Sequence, residues 1–156
     1  ESILVFMFFT RPASVNFSTN PQDWFWAMIG TYPVMLMQAG GQEYALVIFL
    51  QIPAMLWVIF GYLSLGTSIS IIPAHRELKR KGAYRFVRHP LYAGYVVSLL
   101  CVLINNMSLY NIAIIALTYV GTIMRIIREE RFLLASNPEY AEFMKQTKYR
   151  LLPYVY

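Results

Sequence analysis

Residues 44–65 read YALVIFLQIPAMLWVIFGYLSL, and none of their side chains carries a charge. An α-helix rises about 1.5 Å per residue, so this run is long enough to cross the roughly 30 Å hydrocarbon core of a bilayer. A soluble domain rarely contains so long an uninterrupted apolar stretch. The stretch therefore predicts a transmembrane helix and places the chain among helical membrane proteins.

Three further apolar runs accompany this stretch. Residues 24–39 (WFWAMIGTYPVMLMQA) precede it across the short link 40–43, which suits a helical hairpin. Residues 91–104 (LYAGYVVSLLCVLI) and 109–127 (LYNIAIIALTYVGTIMRII) have the pattern of a second hairpin. We therefore predict an all-α, polytopic membrane bundle of about four to five transmembrane helices.

Details of the sequence modify these predicted spans. Pro33 and Pro53 lie inside spans and should kink them, because proline removes a helical hydrogen bond. Segment 91–104 is short for a bilayer, so its helix is expected to extend through the connecting residues 105–108. Residues 3–9 (ILVFMFF) are typical of the last turns of a helix or of an interfacial segment. No basic residue precedes them, so they predict no signal peptide.

The composition limits the classes of partner. Hydrophobic residues make up 58% of the chain and charged residues only 13%, against roughly a quarter charged in soluble domains. The formal charge is +5, and the basic residues lie beside apolar segments, so anionic membrane lipids are expected partners and nucleic acid is not. Cys101 is the single cysteine, which excludes an intrachain disulfide. The pattern favours no particular oligomeric state.

The distribution of positive charge predicts the orientation. If residues 66–90 face the cytoplasm, both hairpin tips lie outside, while residues 10–23 and 125–156 lie inside. All 13 lysines and arginines then lie on the cytoplasmic side or at the cytoplasmic end of a span, as the positive-inside rule requires. From residue 128 onward, charged and apolar residues alternate at helical spacing, with a break at Asn137-Pro138. This predicts a cytoplasmic, amphipathic C-terminal helix.

Residues 73–92 (PAHRELKRKGAYRFVRHPLY) form the first polar cluster, with six basic residues and both histidines of the chain. For Lys79-Arg80-Lys81, contact with lipid phosphates is a sufficient explanation. Arg88 and His89 differ because they lie where the loop re-enters an apolar span, and burying such groups is costly unless they bind something. Taken alone, His89 fits a satisfied loop histidine as well as a ligand contact.

The second polar cluster ends the last predicted span. Arg125 and Glu129 are four residues apart and could form an ordinary ion pair on one helix face. Glu129 and Glu130 are nevertheless adjacent carboxylates at a membrane boundary, so at least one should face inward and meet a cation. No histidine or cysteine lies at metal-ligand spacing, and no glycine-rich phosphate motif occurs, so neither a metal site nor a Rossmann-type site is predicted.

The polar clusters belong to a longer series of motifs. They are Leu65-Gly66-x-Ser68, Gly82-x-Tyr84, Arg88-His89-Pro90-Leu91-Tyr92-Ala93-Gly94, Arg125 followed by Glu129-Glu130, Glu139-Tyr140 and Arg150-Leu151-Leu152-Pro153. In this order, over residues 62–154, the series resembles the isoprenylcysteine carboxyl methyltransferase family, which belongs with the membrane phospholipid methyltransferases. The resemblance implies one domain over residues 1–156, with transmembrane helices in 1–65 and a cofactor-binding catalytic region in 66–156.

The resemblance also implies a binding site for S-adenosylmethionine. The residues that it assigns to cofactor contacts are Tyr84, His89, Pro90, Leu91, Tyr92, Gly94, Glu129, Glu130 and Tyr140. Carboxylates suit the ammonium and hydroxyl groups of this cofactor, and a tyrosine ring suits its adenine. Arg125 or Arg88 is expected to orient an anionic acceptor and would then be the catalytic residue.

The expected activity is methyl transfer from S-adenosylmethionine to a lipid-like or prenylated acceptor at the cytoplasmic membrane face. Carboxyl O-methylation of an isoprenylcysteine-like substrate is one form of this reaction, and N-methylation of phosphatidylethanolamine is the enzymatic alternative. A non-catalytic module that binds anionic lipid through the basic loop is the alternative from another class. The matched motifs lie on the cofactor side, so they indicate the donor more directly than the acceptor.

Overall fold

The computed structural model describes residues 18–66, 78–153 and 155. Its elements are α1 (Pro21–Ile29), a 3-10 turn (Pro33–Leu36), α2 (Ala45–Leu65), a second 3-10 turn (Gly82–Arg85), α3 (Pro90–Asn105), α4 (Leu109–Ser136) and α5 (Glu139–Gln146). These residues contain no β-strand, which confirms the all-α class for the described part of the chain. The predicted segment 3–9 and residues 67–77, the first half of the basic loop 66–90, lie outside the described residues.

Helices α2 and α4 are long and apolar enough to cross a membrane. Their 21 and 28 residues correspond to about 31 and 42 Å. Only 22% and 33% of their apolar windows are buried inside the protein, whereas the core helix of a soluble protein would be mostly covered. Leu46 and Phe49 on α2 are 77% and 74% exposed. Such outward-facing apolar surface is expected where lipid surrounds a helix.

The short helix α3 packs between these two helices. Its start at Pro90 fits the preference of proline for the first helical turn, where a missing N–H costs nothing. The helix ends at Asn105 and does not continue through residues 106–108, contrary to the sequence expectation. Ser108 then caps α4, because its hydroxyl accepts a hydrogen bond from the Asn111 backbone N–H at 3.1 Å.

The first predicted span is not a continuous helix, so the prediction for residues 24–39 was wrong. Helix α1 ends at Ile29, and the chain turns at Gly30 before Pro33 starts a 3-10 turn. Proline provides no N–H, and its ring clashes with the carbonyl four residues earlier, which here belongs to Ile29. The expected kink at Pro33 is therefore a full interruption of the helix.

The interrupted segment 21–38 still runs antiparallel along α4. Asp23 forms an ion pair with Arg128 near the C-terminal end of α4. The backbone N–H of Gln38 donates to Asn111 Oδ1 at 3.0 Å near the N-terminal end. The contacts lie 17 residues apart on α4, or about 25 Å along its axis, so the segment accompanies most of the helix.

Asn111 forms hydrogen bonds with backbone groups of the interrupted segment at a place where that segment is no longer helical. Its side-chain amide donates to the carbonyls of Gln38 at 2.9 Å and Asn106 at 2.6 Å, while its oxygen accepts from Gln38 N–H. The residue is 1% exposed. Buried backbone groups without helical partners need other hydrogen-bond partners, and Asn111 provides them for both the N–H and the carbonyl of Gln38.

We expect Asn111→Leu to lower the free energy of unfolding by about 2 kcal/mol or more, because it leaves several buried backbone groups without partners. Thermal unfolding of the detergent-purified protein measures the effect. Gln42→Ala, at an exposed position in the same connection, is the control and should melt like the wild type. Equal melting temperatures for Asn111→Leu and wild type would contradict this assignment.

Candidate functional site

Glu130 occupies the centre of the polar end of the bundle. Its side chain is 4% exposed, and its Oε1 accepts from Arg88 Nε at 2.7 Å. Its Oε2 accepts from Arg150 Nε at 2.9 Å, and His89 Nε2 lies 3.3 Å from Oε1. Both carboxylate oxygens are therefore engaged by basic side chains of the protein itself. This network compensates the burial of the charge.

The residues 147–150, which we call the C-terminal strap, hold the Arg88-His89 segment. Arg88 Nη1 donates to the carbonyls of Thr147 at 2.9 Å and Lys148 at 2.6 Å. The backbone N–H groups of Arg88 and His89 donate to the carbonyls of Tyr149 and Arg150, each at 2.9 Å. The strap therefore holds the segment through two consecutive backbone hydrogen bonds, and Glu130 binds side chains of both.

The loop before this segment is fixed by a glycine. Gly82 has φ +64°, a backbone conformation that other residues rarely adopt, and a Cβ there would overlap the Ser64 side chain. The next backbone N–H, of Ala83, donates to Ser64 Oγ at 3.0 Å. Thr147 Oγ1 donates to the Tyr84 carbonyl at 3.3 Å. The C-terminal end of α2 and the strap thus position the 3-10 turn that leads into Arg88.

A second group of side chains surrounds Tyr92. Its hydroxyl donates to Glu129 Oε2 at 2.9 Å. The His89 ring stacks on the Tyr92 ring with 5.5 Å between centroids, and Arg125 Cζ lies 5.1 Å from the Tyr92 centroid. Arg125 Nη1 also donates to Thr31 Oγ1 at 3.0 Å, which joins the interrupted first segment to this site.

The two adjacent glutamates face different neighbours. Successive residues on an α-helix point about 100° apart, so Glu129 turns toward Tyr92 while Glu130 turns toward the strap. Glu130 is buried and Glu129 is half-buried. Within the described ranges no ion pair joins Glu129 to a lysine or arginine, so the alternative of an Arg125–Glu129 pair is not realised. Glu129 is thus the more accessible carboxylate.

Two tyrosines near these carboxylates stay neutral. Burial raises the pKa of Tyr84 well above its usual value, and the negative charge of Glu129 raises it further. Burial also raises the pKa of Tyr140, with the charges of Glu130 and Glu129 acting in the same direction. Both phenols therefore remain protonated at neutral pH, and neither is a ready proton acceptor.

Three of the predicted cofactor residues lie on the other side of α3, against α2. The Pro90 carbonyl accepts from Trp57 Nε1 at 3.0 Å. A Cβ on Gly61 would lie 2.9 Å from Leu91 Cδ2. A Cβ on Gly94 would overlap the methyl group of a valine on α2. The structure thus brings Arg88, His89, Tyr92, Arg125, Glu129 and Glu130 together and places Pro90, Leu91 and Gly94 at a helix contact.

The resemblance implies that the C-terminal segment helps to build the cofactor pocket, but neither Arg150 nor Thr31 is among the predicted site residues, although both contact the site. Arg150 belongs to one of the motifs, and its charge next to apolar residues was the available indication. Arg80 of the basic loop pairs with exposed Glu139 at 2.6 Å, so that part of the loop also ties to α5. Among the residues with described positions, no group of three His, Cys, Asp or Glu side chains could hold a metal ion.

A protein-family model matches the chain. Residues 44–135, more than half of the chain, match the model of the isoprenylcysteine carboxyl methyltransferase family. No curated protein sequence matches the chain. The matched range includes the Arg88-His89 segment, Tyr92 and both glutamates, and it ends before the C-terminal strap.

Proposed function

The chain belongs to the isoprenylcysteine carboxyl methyltransferase family, and on that premise we propose that it methylates a lipophilic acceptor at the cytoplasmic membrane face. The family makes it a membrane methyltransferase that depends on S-adenosylmethionine. The proposal extends this to the cofactor site, the acceptor class and the orientation. The observation that carries it is the half-buried Glu129 carboxylate, hydrogen-bonded to Tyr92 and without a basic partner in the described chain.

The residues around Tyr92 fit the polar groups of S-adenosylmethionine. Glu129 would hold an ammonium or a ribose hydroxyl, because charge-assisted hydrogen bonds to a carboxylate are strong. The stacked rings of His89 and Tyr92 offer aromatic surface to a flat or cationic group. Tyr84 and Tyr140 complete the surroundings as neutral phenols. When bound, the cofactor supplies an electrophilic methyl group on a sulfonium.

Arg125 is the better of the two candidate acceptor-orienting arginines. Arg88 already donates to Glu130 and to two strap carbonyls, so it serves the protein's own structure. Arg125 lies beside Tyr92, and its guanidinium suits a carboxylate because it can donate two parallel hydrogen bonds. A carboxylate acceptor requires no proton removal. The neutrality of Tyr84 and Tyr140 is consistent with such a reaction, in which the protein orients the acceptor and excludes water.

The proposed orientation places this polar end in the cytoplasm. The two connections between helices lie side by side at the opposite end, where Asn106 Oδ1 accepts from Gly41 N–H at 3.1 Å and Asn105 Oδ1 from Tyr44 N–H at 3.2 Å. These connections contain no lysine or arginine, whereas the site end contains many. The asymmetry supports a cytoplasmic site with α5 at the membrane face.

Methyl transfer is tested with radiolabelled S-adenosylmethionine and two acceptors, S-farnesylcysteine and phosphatidylethanolamine vesicles. We expect label on the cysteine derivative, and base should release it as methanol because it is a methyl ester. Base-stable label on phosphatidylethanolamine would instead establish N-methylation. Absence of transfer, together with binding to anionic vesicles, would replace the proposal with a lipid-binding module.

We expect Tyr92→Phe to raise KM for S-adenosylmethionine about tenfold, because Glu129 loses the hydroxyl that orients it and bonds to charged groups contribute about 1.5–3 kcal/mol. Steady-state kinetics at saturating acceptor measure the change. Tyr110→Phe, at an exposed position near the opposite end of α4, is the matched control and should leave KM unchanged. An unaltered KM in Tyr92→Phe would remove Glu129 and Tyr92 from the cofactor site.

A further inference from the structure

Arg150 lies at the end of the C-terminal strap, outside the range that matches the family. We infer that Arg150 is a positioning residue: by binding Glu130 it holds the strap on Arg88 and His89 and keeps His89 oriented toward the cofactor. This inference rests on the proposed function, because it assumes that His89 contacts S-adenosylmethionine. In this inference Glu130 helps to position His89, and Glu129 is the glutamate that contacts the cofactor directly.

The first argument concerns the backbone. The amides of Arg88 and His89 have their hydrogen-bond partners in the strap, not in α3, which begins only at Pro90. Residues before a helix have no intrahelical partners for their N–H groups, so they depend on such external acceptors. If the strap moved away, the segment that presents His89 would lose the bonds that define its path.

The second argument concerns His89 itself. A carboxylate can only accept a hydrogen bond, so contact with Glu130 requires the proton on Nε2 and leaves Nδ1 for a different partner. Arg150 Nε donates a hydrogen bond to the other oxygen of the Glu130 carboxylate. Loss of Arg150 frees that oxygen, and the carboxylate can then rotate away from His89. Arg150 thus acts on His89 through Glu130.

The third argument concerns charge balance. Glu130 lies between Arg88, whose side chain is 6% exposed, and Arg150, whose side chain is 30% exposed. Removing Arg150 leaves Arg88 and Glu130 as a balanced buried pair, so the fold should persist. Removing Glu130 would leave Arg88 buried without compensation. A substitution of Arg150 can therefore change the orientation of His89 without unfolding the protein.

The test compares Arg150→Ala, Arg150→Lys and the control Arg131→Ala with wild type in detergent or nanodiscs. Arg131 is an exposed arginine next to Glu130, so it matches the change in charge. We expect Arg150→Ala to speed hydrogen exchange at the amides of Arg88 and His89 about tenfold. The Kd of S-adenosylhomocysteine and KM for the methyl donor should rise about tenfold, with kcat within about threefold of wild type and acceptor KM unchanged.

Arg150→Lys should restore part of the affinity, because an ammonium can still bind Glu130. Equal Kd and equal exchange in Arg150→Ala and wild type would overturn the inference. So would a fall in kcat and thermal stability without a selective rise in donor KM, which indicates a purely structural role. If folded wild type binds no S-adenosylhomocysteine, the proposed function fails instead, and the inference that Arg150 positions His89 toward the cofactor is overturned with it.

Discussion

Glu130→Ala is expected to lower the free energy of unfolding by about 3–5 kcal/mol, because it leaves the buried Arg88 charge without its partner. The neighbouring substitution Glu129→Ala should melt within a few degrees of wild type and lose cofactor affinity instead. Thermal unfolding of the purified variants, monitored by intrinsic fluorescence, measures the difference. Similar melting temperatures for the two variants would contradict the separate assignments of these glutamates.

A double substitution provides the control for this interpretation. Arg88→Met combined with Glu130→Leu removes both charges and keeps apolar volume, and such replacements of buried ion pairs are often nearly neutral. We expect the double variant to be more stable than Glu130→Ala, while it still fails to bind cofactor because the strap is no longer held. A double variant as unstable as the single one would show that lost packing, not the unpaired charge, causes the defect.

Gly121→Val is expected to prevent α1 from packing on α4 and to lower the free energy of unfolding by about 3 kcal/mol or more. A Cβ at residue 121 would lie 2.5 Å from the backbone nitrogen of Gly30 and 2.6 Å from the carbonyl carbon of Ile29. Backbone atoms cannot turn aside as a flexible side chain can. The displaced segment would also withdraw Thr31 from Arg125, so donor-dependent activity should be lost together with stability.

The matched control for Gly121→Val is Ala116→Val, at an exposed position of the same helix. It adds the same side chain where nothing of the protein opposes it, so expression yield and melting temperature should stay close to wild type. Wild-type yield and melting of Gly121→Val would contradict the close approach of α1 to α4.

Continuous apolar runs allowed three helices to be predicted well. The run 44–65 became α2, Ala45–Leu65, and the run 91–104 became α3, Pro90–Asn105. The last span, predicted to end at residue 127, and the helical pattern predicted from residue 128 form one continuous helix, Leu109–Ser136. It stops before Asn137-Pro138, where the sequence predicted the break.

The interruption of the first span could not be predicted as readily. Its residues are mostly apolar, and proline inside a membrane helix usually indicates a kink. The helix can end at Gly30 because distant residues stabilise the chain that follows. Gly121 has no side chain, so the backbone at Gly30 can pack closely against it, and Asn111 forms hydrogen bonds with the backbone of Gln38. These partners lie more than 70 residues away in the sequence, so no local pattern reveals them.

The sequence predicted part of the group of polar side chains that the structure brings together, but not which of them contact each other. The motifs indicated His89 and both glutamates, but which carboxylate meets the strap depends on the rotation of α4 against its neighbours. The sequence likewise presented Arg88 and Arg125 as equivalent candidates. Only the structure shows Arg88 tied to the strap carbonyls and Arg125 beside Tyr92.

The most direct test of the central claim is isothermal titration of the purified wild type and Glu129→Gln with S-adenosylhomocysteine. We predict saturable one-site binding to wild type and at least about tenfold weaker binding to Glu129→Gln, a loss of about 1.4 kcal/mol or more. Both proteins should show the same melting temperature without ligand. Folded wild type that binds no S-adenosylhomocysteine, or Glu129→Gln that binds it with unchanged affinity, would contradict a cofactor site built around Glu129.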